Sequence, residues 1–483
     1  MNILFATRGT ARSLASLVMT TRCLAALVMT SSFVGAQNVT ARPVPHIDGT
    51  KGVVTVNVAE FASVPDVAGV AARMMLMRDE PGTRRLFVND MRGPLYTVSY
   101  DGKTVALYVD INDSTWGVHV QSQGRERGFQ SFAFHPQFGQ AGTPGYGKFY
   151  TWSDSRNTEA PADFKPGGGT NTHHTVLHEW TAKNAAAAKY DGSAPREMMR
   201  FEQPFSNHNG GLASFNPLDK PGSPGFGLLY IGVADGGSGG DPLNNAQNLS
   251  SGFGKLFRID PLGKNSANGK YGIPRSNPFV KTAGALPEIY AYGMRNPQRF
   301  GWDPANGNLY LADIGQNIVE KISLVTAGAN LGWNVWEGSF GYGARGVDAS
   351  NPRGDPKVLF PAVEFAHGDS LVQTRSAITG VHVFRGGPIA ALRNKVMFGD
   401  IPSGEVFYFD ADKIPRGGSA DIHRVLFKSG GGDAKTLLQL VREKNTQQEK
   451  TPATRVDVRF GDGPDGKVFL LNKADGVIRV LTP

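Results

Sequence analysis

One pattern recurs six times along the chain and constrains the fold more than any other feature. Each copy is a short apolar and aromatic strand that ends on Asp or Asn. The copies span 86–90, 149–154, 229–235, 309–313, 396–400 and 468–472, and they close on Asp90, Asp154, Asp235, Asp313, Asp400 and Asn472. They start 63, 80, 80, 87 and 72 residues apart. After most copies a turn leads into a second strand, as at 93–100, 255–260, 405–410 and 476–481. Alternation with a period of two marks such segments as half-buried strands. Several copies follow another strand that ends in an Asn-, Asp- or His-Pro turn, at 131–136, 212–217 and 299–304. Six repeats of about four antiparallel strands predict an all-β, six-bladed β-propeller. Regular spacing without a linker argues against the alternative of two β-sandwiches. A repeat averages about 75 residues, against about 40–50 in a minimal blade. The surplus is expected in long inter-strand loops at 155–175, 236–252, 262–286 and 339–358, where function concentrates. Residues 435–448 read as a helix outside the ring.

Composition agrees with many short strands and turns. The 483 residues include 61 Gly, 30 Pro and 28 Phe, and only 19% are charged. The formal net charge is +8, but the basic residues are scattered and never run to five together. A nucleic-acid groove needs clustered positive charge, so none is inferred. Segment 1–36 reads as a secretory signal peptide. It carries Arg8, Arg12 and Arg22 and no acid, then an apolar run at 24–29 and the small-residue site Val34-Gly35-Ala36. The apolar run is too short to span a bilayer, and no later segment resembles a membrane span. The expected mature chain is a single propeller domain, 37–483, in the periplasm or secreted. The one cysteine, Cys23, falls inside the signal, so zinc sites built on thiolates are excluded.

Four clusters hold residues fit for chemistry. In the first, His208 precedes Asn209, Gly210 and Gly211. Two glycines let a loop turn sharply into a strand and aim the imidazole inward, and histidine is the usual general base near neutral pH. A turn histidine bonded to backbone is the plainer reading. In the second, Asp235 ends a strand before a glycine-rich loop, where it can fix the tautomer of a histidine or simply start a turn. In the third, Arg295 and Asn296 stand before Pro297 and offer a cation and an amide to a carboxylate or a developing oxyanion, or a bridge between blades. In the fourth, Asp313 to Asn317 supplies oxygen ligands of the kind Ca²⁺ prefers, without the spacing of an EF-hand. Trp333 and Trp336, downstream, read as blade packing. His173, His174 and His178 lie on a strand whose alternation does not gather them on one face. No His-Glu-x-x-His and no phosphate loop occurs.

Taken in order, these stretches resemble the soluble quinoprotein glucose/sorbosone dehydrogenase family. The resemblance runs over about residues 55–482. It is carried by 129–136, by His208-Asn-Gly-Gly, by 230–237, by 246–249 with 254–261, by 287–297, and by 312–317 with 332–338. It implies a six-bladed propeller and a PQQ-dependent, Ca²⁺-assisted oxidation of an aldose or related sugar aldehyde, with electrons passed on to a quinone or cytochrome. By motif position, His208 would be the general base and Asp235 its orienting acid. Arg295 and Asn296 would contact the cofactor, and Arg295 would also stabilise negative charge. The carbonyls of Gly315 and Gln316 would hold Ca²⁺, and Glu126 would stand near cofactor and substrate. Glucose-oxidising members hold the PQQ carboxylates with a late Lys and a pair of Arg. The matching stretch here, 399–407, has no basic pair, and Arg375, Arg385 and Lys395 are the substitutes to test. Two other readings stay open: a Ca²⁺-dependent propeller hydrolase such as a lactonase, and a non-catalytic propeller that binds glycan or protein.

Overall fold

Each blade starts with a strand along the central axis and zigzags outward through three more. In the structure, a computed structural model, residues 44–343, 346–372, 376–415 and 417–483 are described. The 1–36 segment read as a signal peptide and Arg375 lie outside the described residues. Blade 1 comprises Met74–Asp79, Leu86–Asp90, Pro94–Val98 and Val105–Asp110. Blade 2 comprises Phe129–Phe134, Lys148–Ser155, His173–Thr181 and Arg196–Gln203. Blade 3 comprises Ala213–Phe215, Leu229–Val233, Lys255–Ile259 and Ile289–Tyr292. Blade 4 comprises Pro297–Trp302, Leu309–Asp313, Val319–Val325 and Val363–Ala366. Blade 5 comprises Ile378–Phe384, Lys395–Asp400, Val406–Asp410 and His423–Lys428. Blade 6 is built from Arg459–Asp462, Val468–Leu471 and Val477–Thr482, and its outer strand is the early segment Val54–Ser63. Pairing within every blade is antiparallel, so this is the six-bladed propeller expected from the repeats.

The core lies between blades. Apolar residues on the facing sides of neighbouring sheets merge into separate clusters, such as Tyr150, Trp152, Phe201 and Phe257 between blades 2 and 3. Phe365, Phe398 and Phe407 do the same between blades 4 and 5. The expected helix is Leu437–Gln447. Thr436 and Gln439 close a capping box at its start, and Leu437, Leu438, Leu440 and Val441 bury against blades 5 and 6. One loop expectation needs correction. Part of the segment 339–358 belongs to a small three-stranded sheet, Trp336–Glu337, Phe340–Gly343 and Gly346–Asp348. Its strands are two to four residues long and glycine-rich, too short to show period-two alternation.

Candidate active site

Antiparallel blades put the start of each inner strand and the end of each second strand at the same mouth of the ring. The recurring Asp or Asn sits at that mouth in all six blades. In four of them the carboxylate clasps backbone N–H groups of the segment entering the inner strand. Asp90 accepts from Arg73 N at 3.1 Å, Asp154 from Gly128 N at 2.8 Å, Asp313 from Asn296 N at 2.7 Å and Asp400 from Ala377 N at 2.8 Å. Blade 6 has Asn472, whose oxygen instead accepts from Ala474 and Asp475 in its own turn.

Blade 3 departs from the rule. Asp235 takes the His208 imidazole, with Nδ1 2.8 Å from its Oδ1. The same oxygen accepts from Gly237 N at 2.9 Å, and Oδ2 accepts from the Trp333 indole at 2.9 Å. Asp235 is 1% exposed and His208 4%. A buried carboxylate facing Nδ1 makes that nitrogen the donor and leaves Nε2 as the basic position. Sequence reading assigned Trp333 to packing; the structure shows it also fixing Asp235. Its ring also packs at a tilt against Tyr342 of the small sheet, with ring centroids 4.8 Å apart.

The local chain explains how His208 gets there. Its φ is +57°, a left-handed value uncommon for a residue with a Cβ. Its backbone N–H donates to Glu126 Oε2 at 2.8 Å. Gly211 follows, where a Cβ would meet the Gln298 carbonyl at 2.0 Å, so only glycine lets this loop pass so close to blade 4. Glu126 arrives on the blade 1 to blade 2 connection, an excursion the sequence did not single out as long. Behind His208, the Asn209 amide meets His173 Nε2 at 2.7 Å, and His173 lies 3.5 Å from Asp154.

The other candidates gather around this pair. Arg295 Nε donates to Gln316 Oε1 at 3.0 Å, and its guanidinium lies 5.8 Å from the Trp333 ring centroid. Asn296 is buried, and its side-chain oxygen has no hydrogen-bond partner among the described residues. Asp313, which clasps both residues, is paired with buried Lys321 at 3.0 Å. The loop after Asp313 wraps its amides around the Glu337 carboxylate, with Gln316 N, Asn317 N and Ile318 N at 2.9, 2.7 and 2.8 Å. That leaves the carbonyls of Gly315 and Gln316 without a hydrogen bond from the described residues. Among those residues no three His, Cys, Asp or Glu side chains form a metal cluster, so a cation here would rest on backbone oxygens, a donor type suited to Ca²⁺.

Sequence reading missed a group of cations at the same mouth. Arg73, Arg299, Arg459 and Lys473 converge on the axis. Arg299 reaches across to the Met75 carbonyl of blade 1 at 2.8 Å, and Lys473 donates to the Arg125 carbonyl at 3.0 Å. Arg459 Nε is buried without a hydrogen-bond partner among the described residues. Burial, with Arg459, Arg73 and Arg299 alongside, pushes the Lys473 ammonium well below the usual lysine range, and Asp457 is the acid that opposes the shift. The proposed substitutes are elsewhere engaged: Arg385 binds Asp303 and Asp412, and Lys395 lies over the Tyr408 ring. The available signal was position, since Arg73 and Arg459 lie within a residue of an inner-strand start.

Comparison with known proteins agrees with this architecture. The sequence model of the glucose/sorbosone dehydrogenase family matches residues 74–479. HIPL1 protein of Arabidopsis thaliana is 28% identical over 359 residues, covering 66% of this chain and 50% of its own length. Aldose sugar dehydrogenase YliI of Escherichia coli (strain K12) is 25% identical over 280 residues, 57% of this chain and 60% of that protein. The chain thus spans about half the length of the curated relatives it matches first. The PQQ-bound aldose sugar dehydrogenase of Streptomyces coelicolor superposes with a TM-score of 0.55 at 17% identity, covering 88% of this chain and 98% of its own, and shares the fold. On the extent of the family match, this chain belongs to the glucose/sorbosone dehydrogenase family.

Proposed function

We propose that this chain is an exported, PQQ-dependent oxidoreductase that oxidises an aldose or related sugar aldehyde with the help of Ca²⁺. The observation that carries the reading is the diversion of Asp235 from a backbone clasp to the His208 imidazole. Nothing in the ring's architecture requires that exchange, and a base with a fixed tautomer does. His208 Nε2 would accept the proton of the sugar hydroxyl. Asp235 would hold the ring in place and stabilise the imidazolium that forms. Arg295 would supply fixed positive charge beside the reacting centre, in a pocket whose donors are already oriented. Glu126, held at the mouth through the His208 amide, would meet the substrate.

The residues present fit the cofactor. PQQ, when bound, supplies a quinone that accepts the hydride. Its carboxylates would find Arg73, Arg459 and Lys473, whose charge the described acids do not match, and the unpartnered Asn296 oxygen lies in the same region. The Gly315 and Gln316 carbonyls would hold Ca²⁺. Export to the periplasm or outside would follow from the 1–36 signal, and a quinone or cytochrome would receive the electrons.

The test is reconstitution. Chelated protein is titrated with PQQ, with and without Ca²⁺, while dye reduction is followed over a panel of aldoses. The expected outcome is saturable uptake near one PQQ per chain and dye reduction that needs Ca²⁺. Failure to take up PQQ under any condition would remove the dehydrogenase reading. Lactone hydrolysis and glycan binding would then be assayed on the same preparation.

A further inference from the structure

The opposite mouth of the ring, where the inner strands end, holds a cavity of about 670 Å³ that the chemistry above does not use. Small-molecule sites usually measure about 300–1,000 Å³. Its two walls differ. Blades 2 to 4 supply an aromatic wall from Phe132, Phe134, Phe215, Phe300 and Trp302, with Phe226 from an adjoining loop. Blades 5, 6 and 1 supply a polar wall that includes His382, Asp462, Arg78 and Asp79. Asp462 binds both neighbours: one oxygen accepts from His382 Nδ1 at 2.7 Å, and the other pairs with the Arg78 guanidinium. No hydrogen bond from the described residues reaches His382 Nε2 or the remaining N–H groups of Arg78. With Nδ1 donating to Asp462, Nε2 is left as the acceptor position of the ring.

These walls define the ligand. The charged side chains lining the cavity are Arg78, Lys220, Asp79, Asp219 and Asp462, which leaves one net negative charge. An anion finds no complement here, in contrast to the cation-rich mouth at the other end. The polar wall offers a fixed donor and two acceptors side by side, and a ligand with a single hydroxyl cannot satisfy all three. The aromatic wall asks for an apolar face on the same molecule. A sugar ring combines a C–H face with several edge hydroxyls and no charge. We propose that this cavity binds a neutral mono- or disaccharide, at a site separate from His208 and independent of any oxidation.

The test uses glycosides blocked at the anomeric carbon, so that oxidation there cannot interfere. Methyl β-glucoside, methyl β-cellobioside and methyl α-maltoside are titrated into the full chain by calorimetry and by ligand-observed NMR. At least one is expected to bind saturably, with a Kd of roughly millimolar or tighter. His208→Ala should bind it as the wild type does. Trp302→Leu and His382→Gln should each weaken it by about tenfold or more, with folding checked by circular dichroism; His382→Gln suffices if the tryptophan variant does not fold. The anionic methyl β-glucuronide should bind more weakly than methyl β-glucoside. The proposal is overturned if none of the three neutral glycosides binds up to about 50 mM, or if the glucuronide binds more tightly. It is also overturned if His208→Ala abolishes binding that His382→Gln leaves intact.

Discussion

A single repeat position shows how one residue type serves two purposes. Asp90 and Asp235 stand at the end of the second strand in their blades, both buried. Asp90 accepts from backbone amides of Arg73 and Arg92, so its work is structural. Asp235 accepts from His208, Gly237 and Trp333, so its work is to orient an imidazole. The two Asp→Asn substitutions should therefore separate stability from chemistry. Asp235→Asn should lower kcat by about 10²–10⁴-fold, because an amide can donate to Nδ1 and favour the wrong tautomer. Its effect on the urea midpoint should be small. Asp90→Asn should do the reverse, costing about 1–3 kcal/mol of stability through a weakened buried clasp while kcat stays within a few-fold. Parallel measurement of kcat and of chemical unfolding on both variants checks the pair. Equal loss of activity in the two would show that Asp235 is only another clasp.

The candidate site is built from the segments that enter the inner strands and those that leave the second strands, rather than from the strands themselves. The strands were legible in the sequence because period-two alternation and Pro turns are local. His208, Asp235, Arg295 and the Gly315 loop were legible because their motifs are short and contiguous. Trp333 was not, since its role depends on reaching Asp235 from nearly a hundred positions away. Nor were Arg73, Arg299, Arg459 and Lys473, which come from blades 1, 4 and 6 and meet only when the ring closes. Two predictions belong to these segments. Gly211→Ala should disable the His208 loop, because the added carbon would sit 2.0 Å from the Gln298 carbonyl; loss of turnover with a near-normal far-UV spectrum is the expected result. The second concerns Asp400 at the entry to blade 5. Burial pushes its carboxyl up to about 6 despite hydrogen bonds from Ser403, Ala377 and Ser376. A carboxyl whose folded pKa lies above its unfolded value contributes stability that is complete below about pH 4 and lost as the pH rises through about 6. Asp400→Asn removes that titration. The stability of the wild type minus that of the variant should therefore fall between pH 4 and 6 and stay level above. A difference that is flat or rises across this window would contradict the assignment.

A ring is only as stable as its closure, and here closure is made by one strand. Val54–Ser63 pairs antiparallel with Val477–Thr482, from Asn57 opposite Thr482 to Ser63 opposite Val477. It also runs parallel to blade 5, with Val54 opposite Val425 and Asn57 opposite Lys428. The same strand thus completes blade 6 and ties it to blade 5. Val56 and Val58 bury among residues of blades 5 and 6, and Ala62, beyond a bulge, buries among residues of blades 6 and 1. Without it, Val477–Thr482 becomes an exposed edge with unpaired backbone groups and uncovered apolar side chains. Because the cations at the active mouth come from blades 1, 4 and 6, opening the ring between blades 5 and 6 should loosen that cluster as well as the sheet. A chain lacking residues 44–64 should therefore unfold at lower urea, with reduced cooperativity. Its amides in 459–482 should exchange faster than those in blades 2 and 3. A synthetic peptide spanning 54–63 should restore protection if the strand acts by pairing alone. An unchanged urea midpoint and unchanged exchange in blade 6 would mean that contacts between blades hold the ring without its clasp.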